Sequence, residues 1–279
     1  MPVVDAHHHF WDPATADYPW LTDELAAIRR PFGPDDLEPL LAAAGVDSTI
    51  LVQTRPDFEE TVEFLGMAER TPFVRGVVGW VDLTSVGVAD DIADLSSRPG
   101  GAALVGIRHQ AHDEPDPDWL QRDDVIRGIE AVGAAGLVYD LLVRPRELPA
   151  AMRLARRLPD VRFVIDHIAK PPIARRELEP WTGLMAPFAE LSNVACKLSG
   201  MVTEADWAHW TVDDLRHYVD RVLEVFGPGR LMFGSDWPVC LLAGSYQDVF
   251  EAARQVVSAL SESERVGIFG ENAVRTYRL

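Results

Sequence analysis

Hydrophobic positions along this chain fall into short runs that recur at nearly even intervals. They stand at 3–9 (VVDAHHH), 48–54 (STILVQT), 73–81 (FVRGVVGWV) and 103–109 (ALVGIRH). Four more follow at 136–143 (GLVYDLLV), 162–168 (RFVIDHI), 194–200 (VACKLSG) and 230–236 (RLMFGSD). Each is short, rich in apolar and β-branched residues, and bounded by Gly, Pro or polar clusters, which predicts a strand. Between them the apolar positions recur at helical spacing. DDLEPLLAAAG (35–45) opens on acids and stops at Gly45, and ELPAAMRLARRLPD (147–160) and TVDDLRHYVDRVLEVFG (211–227) each carry an apolar stripe. The tail SERVGIFGENAVRTYRL predicts a closing helix.

Eight strands alternating with helices over 279 residues predict a single (β/α)8 barrel occupying 1–279 as one domain. A doubly wound sheet would call for a glycine-rich turn after the first strand; that strand ends instead in three histidines.

Composition narrows the function. The net charge is −18, and such a surface repels nucleic acid. No apolar run is long enough to span a bilayer. No secretory signal is read, and the two cysteines, Cys196 and Cys240, make no zinc spacing, so a reduced cytoplasmic setting is expected. The expected partner is a small-molecule substrate, with neither nucleic acid nor membrane; a homo-oligomer stays open.

In a barrel of this kind the reactive groups gather at the C-terminal ends of the strands. The polar residues there are His7, His9, Gln53, Arg108, His109, Tyr139, Asp140, Asp166, His167, Lys170, Lys197, Ser199, Ser235 and Asp236. The two-residue period of a strand puts Asp5, His7 and His9 on one face, taken as the barrel axis, and His8 on the other. Strand eight closes beside strand one, which brings Asp236 toward the two histidines, with His167 from strand six as a further partner. Three imidazoles and a carboxylate suit a divalent metal or a polarising cradle. Arg108, His109 and Tyr139 are expected to line the same mouth. Lys197 is expected either to touch substrate oxygens or to form a buried ion pair, and Lys170 to brace its loop. The long loop after strand one carries Trp11, Tyr18 and Trp20, and the segment after strand seven carries Met201, Trp207 and Trp210. These aromatics suit a sugar-like ring or loop anchoring, with Trp11 the favoured contact.

Several segments resemble the amidohydrolase superfamily, in particular its amidohydrolase-2 branch. They are DAHHHFWD (5–12), VIDHIAKP (164–171) and MFGSDWP (232–238). DYPWL (17–21), GIRHQAHDEPDPDWL (106–120), the stretch 139–171 and GENAVRTY (270–277) are similar to the L-fuconolactonase and L-rhamnonolactonase group, relatives of the pyrone-dicarboxylate lactonases. The resemblance implies a barrel that opens a cyclic ester. It makes His7, His9 and His167 the residues that polarise the carbonyl and Asp236 the one that activates water. It leaves two arrangements open: one divalent ion, zinc, on His7, His9, His167 and Asp236, or the same residues without a metal. A dinuclear site is not expected, because strands four and five end in GIRH and VYDLLV, without the ligands of dinuclear relatives. The alternatives are a metal-dependent decarboxylase of an unsaturated acid and a non-catalytic binding barrel.

Overall fold

A computed structural model describes residues 2–279. The strands are β1 (Val4–His8), β2 (Ser48–Val52), β3 (Val74–Gly79), β4 (Leu104–His109), β5 (Val138–Leu141), β6 (Arg162–Ile165), β7 (Val194–Leu198) and β8 (Leu231–Phe233). They form one parallel sheet in sequence order. The gap between β8 and β1 is spanned by a bridge pairing His8 with Trp237, so the sheet curls into a nearly closed barrel. Every expected strand is present, within the bounds the apolar runs set.

Around it lie α1 (Pro34–Ala44), α2 (Phe58–Arg70), α3 (Val88–Ser97), α4 (Asp123–Ala134), α5 (Leu148–Arg157), α6 (Trp181–Met185), α7 (Val212–Phe226), α8 (Tyr246–Val256), α9 (Glu262–Val266) and α10 (Asn272–Tyr277). Side-chain caps mark where they begin: the Asp57 carboxylate accepts from the Glu59 N–H, and Ser245 exchanges bonds with Asp248. Gly45 ends α1 in the left-handed conformation. Among the described residues no helix is long and apolar enough to cross a membrane.

The strands read as apolar runs because both faces are buried. Outward side chains such as Leu51, Ile107, Phe163 and Phe233 pack under the helices in one large core. Inward ones (Val4, Ala6, Ile50, Val52, Val78, Val105, Val138, Val164, Ala195 and Met232) fill the barrel's lower half. Ala273 and Tyr277 of α10 join that inner cluster and plug its base. Above the apolar layer the interior turns polar: Arg108, Asp140, Asp166, Lys197 and His7 are all buried there.

β1 departs from a strict two-residue period. Asp5 pairs with Thr49 but His8 with Leu51, so three steps on β1 face two on β2. The extra residue is a bulge, which lets Ala6 and His7 both turn inward. Asp5 therefore does not face the axis. Its carboxylate accepts from the Tyr246 hydroxyl of α8 (3.0 Å) and from the backbone N–H groups of Ser235 (2.8 Å) and His7 (3.1 Å). His8 faces out as expected, with Nε2 2.8 Å from Thr49 Oγ1.

Candidate active site

Three segments bring the site together. The His7 carbonyl accepts from the Asp236 N–H (2.8 Å), and the His9 N–H donates to the Trp237 carbonyl (2.7 Å), which ties the end of β1 to the turn after β8. His167 follows β6. From His167 to Lys170 the backbone runs through four successive positive φ angles (53°, 45°, 61° and 49°), and Asp236 also has a positive φ of 57°. Left-handed backbone costs about 1–2 kcal/mol per non-glycine residue, and such strain concentrates at functional sites. Two glycines give the histidines room. A Cβ on Gly234 would lie 2.6 Å from that of His7, and one on Gly200 would lie 2.5 Å from His167 Nδ1.

The reactive atoms converge on Asp236 Oδ1. His9 Nε2 lies 3.4 Å from it, His7 Nε2 3.8 Å and His167 Nε2 3.9 Å. His7 Nε2 and His9 Nε2 are 3.1 Å apart. His9 Nδ1 donates to the Val52 carbonyl (2.7 Å), so in the neutral ring it is Nε2 that carries the lone pair into the site. His167 Nδ1 is 2.9 Å from Ser199 Oγ. Burial drives the pKa values of His7 and His167 well below the ordinary histidine range, so both rings are neutral. Burial pushes Asp236 up, but the neighbouring imidazoles and Lys170 outweigh it, and the carboxyl is held below its usual range. The result is an ionised carboxylate beside the neutral imidazoles of His7 and His167.

This donor set fits a single divalent ion. Donors about 2.0–2.2 Å from a tetrahedral centre stand roughly 3.3–3.6 Å apart, close to the spacings around Asp236. His7, His9 and Asp236 form one group of ligand type, and His7, Asp166 and His167 a second. The two share His7, and Asp166 is already engaged by Arg108 and Lys197.

A cavity of about 290 Å³ opens over these atoms. His9, His167, Asp236 and Arg108 line it with Lys170, Arg144, Gln110, His112 and Asp113, and Trp20, Leu25, Leu142 and Val239 add apolar wall. A groove of about 360 Å³ beside Pro2, Phe250 and Phe269 lies away from all of these groups.

Of the residues expected to contact substrate, Arg108 lines the cavity while also binding Gln53 and Asp166. Four others do not line it. Tyr139 is one residue out of phase: its ring packs in the outer core against Phe163, and it is the neighbouring Asp140 that faces in. His109 is out of phase with Arg108 in the same way. It stacks on Trp119, accepts from Trp80 Nε1 (3.0 Å) and pairs with Glu114 (2.8 Å). Trp11 is buried, donates to the Ile28 carbonyl (3.2 Å) and anchors the long loop, leaving Trp20 at the cavity wall. Lys197 is fully buried beneath the cavity, in an ion pair with Asp140 (2.6 Å), and does not line it. Lys170 reaches both the cavity and Glu204 (3.0 Å). Met201, Trp207 and Trp210 stand away from it, Trp210 donating to the Ala243 carbonyl. Arg144, His112 and Gln110 were missed, although each lies just past the end of β4 or β5, where the strand-end rule applies.

The amidohydrolase family model matches residues 4–279. The chain is 45% identical over 280 residues to L-fucono-1,5-lactonase of Burkholderia ambifaria, covering 99% of this chain and 95% of that protein. It is 40% identical to L-fucono-1,5-lactonase of Burkholderia multivorans, covering 99% and 96%. A crystal structure of an amidohydrolase from Burkholderia multivorans with bound zinc superposes over the whole of both chains with a TM-score of 0.94 at 38% identity. The chain belongs to the amidohydrolase family. It is an enzyme, a hydrolase built on a (β/α)8 barrel.

Proposed function

We propose that the protein hydrolyses a sugar lactone, L-fucono-1,5-lactone or a close analogue. One observation carries this reading above the others. An ionised carboxylate, Asp236, sits among imidazole nitrogens at the floor of a cavity sized for a single ring. The names of the Burkholderia relatives, which match over almost their full lengths, supply the substrate class.

Opening a lactone needs a nucleophilic water, a base for its proton and donors for the developing oxyanion. Asp236 takes the proton from water, whose oxygen attacks the carbonyl carbon. The imidazole of His167 and the cations of Arg108 and Lys170 line the cavity where negative charge grows on the carbonyl oxygen, and His7 lies just beneath, its Nε2 3.8 Å from Asp236. When the tetrahedral species collapses, the ring C–O bond breaks and protonated Asp236 returns its proton to the leaving oxygen. The product is a hydroxy acid, and the same cations offset its carboxylate. His7, His9 and Asp236, with His167 Nε2 3.9 Å from the carboxylate, would hold a divalent ion, zinc by donor type, which supplies Lewis acidity toward the carbonyl when bound. Trp20, with Leu25 and Leu142, offers an apolar wall to the C–H face of the ring.

The test is proton release from L-fucono-, L-rhamnono- and D-galactono-lactones beside carboxylated lactones, with and without chelator. Turnover of the neutral sugar lactones is expected. Turnover of carboxylated lactones alone would move the substrate class, and carbon dioxide release from an unsaturated acid with no lactone turnover would overturn the reading.

A further inference from the structure

Of the charged layer beneath the cavity, only Arg108 takes part in the mechanism above. Lys197 Nζ, with three protons, faces Asp140 Oδ2 (2.6 Å), Asp166 Oδ1 (3.0 Å) and His7 Nδ1 (3.2 Å). Asp140 is held from below by the Tyr277 hydroxyl, within 2.8 and 2.9 Å of its two oxygens, and Asp166 from the side by Arg108 Nη1 (3.0 Å). Two cations and two carboxylates thus balance inside the barrel, and His7 touches them through both ring nitrogens, Nδ1 at Lys197 and Asp166 and Nε2 at Arg108.

His7 Nδ1 has two rival neighbours. Lys197 can only donate to it. Asp166 Oδ1, 3.3 Å away, can only accept, and it is a buried oxygen with no aligned hydrogen bond. When Lys197 donates, Nδ1 holds a lone pair and the ring proton must sit on Nε2. His9 then completes the pattern: its Nε2 lone pair, fixed by the Val52 carbonyl, lies 3.1 Å away as acceptor. When the proton instead sits on Nδ1, it satisfies Asp166 Oδ1, and Nε2 turns its lone pair to the site. Arg108 Nη1, 3.4 Å from Nε2, is already spent on Asp166.

We infer that Lys197 and Asp166 act as opposed positioning residues at Nδ1 of His7 and decide whether Nε2 offers the site a proton or a lone pair. In the Lys197 state His7 is a hydrogen-bond donor, its proton resting on His9 Nε2 and passing to a lactone carbonyl oxygen only where that oxygen replaces His9 as acceptor. In the Asp166 state it is a metal ligand backed by a carboxylate, the arrangement that orients histidines around zinc. One proton moves from Nε2 to Nδ1 between the states, and the net charge of the ring does not change. The inference rests on the proposed roles of His7, but its readouts need no substrate, so it fails separately from the lactonase reading.

The test uses protein labelled with 15N in histidine, where two-bond 1H–15N correlations distinguish the tautomers. Chelator-treated wild type should show His7 protonated at Nε2, and zinc-loaded wild type at Nδ1. The charge-balanced double variant Asp140→Asn/Lys197→Met removes the donor, so its metal-free His7 should shift to Nδ1–H. Its zinc affinity, by chelator competition, should rise several-fold. Asp166→Asn should bind zinc about 10–100-fold more weakly, and His8→Gln should match wild type. Metal-free wild type protonated at Nδ1, or a double variant with unchanged tautomer, overturns the inference. A wild type that takes up no zinc overturns its ligand state. Should the double variant not fold, the wild-type tautomer alone decides.

Discussion

The backbone N–H of Asp236 donates to the carbonyl of His7 at 2.8 Å, and this bond fastens the proposed base to the strand that carries two of the imidazoles around it. The carboxylate is therefore placed by backbone as well as by side chains, and replacing it should leave its surroundings in position. Asp236→Asn is nearly isosteric but cannot take a proton. Its kcat should fall by about 10²–10³-fold with an unchanged melting temperature. Wild-type turnover in the purified variant would show that the base is another residue.

The pH profile follows from the same environment. Asp236 titrates below its ordinary 3.8, so the base form, and with it kcat/KM, rises with pH and is complete by about pH 5. Burial holds His7 and His167 well below 6.5, so neither ring adds a step near that value. Asp140, raised to about 6 by burial, is held away from the cavity by Lys197 and Tyr277. Corrected for spontaneous hydrolysis, kcat/KM should be level from pH 5 to 7. A tenfold loss centred near pH 6.5 would mean that a site imidazole charges there.

Much of this was legible in the chain because strands buried on both faces leave an unmistakable record, and all eight were visible as apolar runs. The convergence of His7, His9, His167 and Asp236 followed from barrel closure and the strand-end rule. What failed did so by single residues. Alternation places Arg108 and Asp140 inside, so His109 and Tyr139, adjacent to them in sequence, must point out. The β1 bulge turned Asp5 to the opposite face, and a register shift of that kind depends on pairing with β2, which local sequence does not encode. Trp11, the favoured contact, is buried as an anchor while Trp20 stands at the cavity wall, because loop packing, not composition, decides which indole is buried.

His8 offers a stability test free of the reaction. It is fully buried, and burial lowers its pKa to about 3, against 6.5 for an ordinary histidine. Between those values the unfolded chain binds the proton and the fold does not, so stability rises with pH across that window and is lost as pH falls below 6.5. The single group amounts to about 3 kcal/mol by pH 4. His8→Gln keeps a polar group near Thr49 and cannot charge. In urea titrations at pH 7 and pH 4.5 the variant should lose less stability than wild type. Equal losses would remove His8 from the acid response.

Gly234 separates the packing of His7 from its chemistry. It follows the last residue of β8, facing His7, and a Cβ there would stand 2.6 Å from His7 Cβ, 3.1 Å from Ser199 Cβ and 3.2 Å from the His7 nitrogen. Two of these neighbours are Cβ atoms and the third is backbone, so no flexible side-chain end can swing aside. Gly234→Ala must push β1 and β8 apart or tilt the imidazole. Overpacking of this kind costs about 1–3 kcal/mol, which a lowered melting temperature would report. A displacement approaching 1 Å at a reacting group costs on the order of 10²-fold in rate, so kcat should fall far more than the stability loss explains at an assay temperature where the variant is folded. Gly229→Ala is the matched control, since nothing lies within 4 Å of its added methyl group. It should keep wild-type kcat and melt within a degree or two of wild type. If Gly234→Ala retained full kcat, the placement of His7 would not limit the reaction.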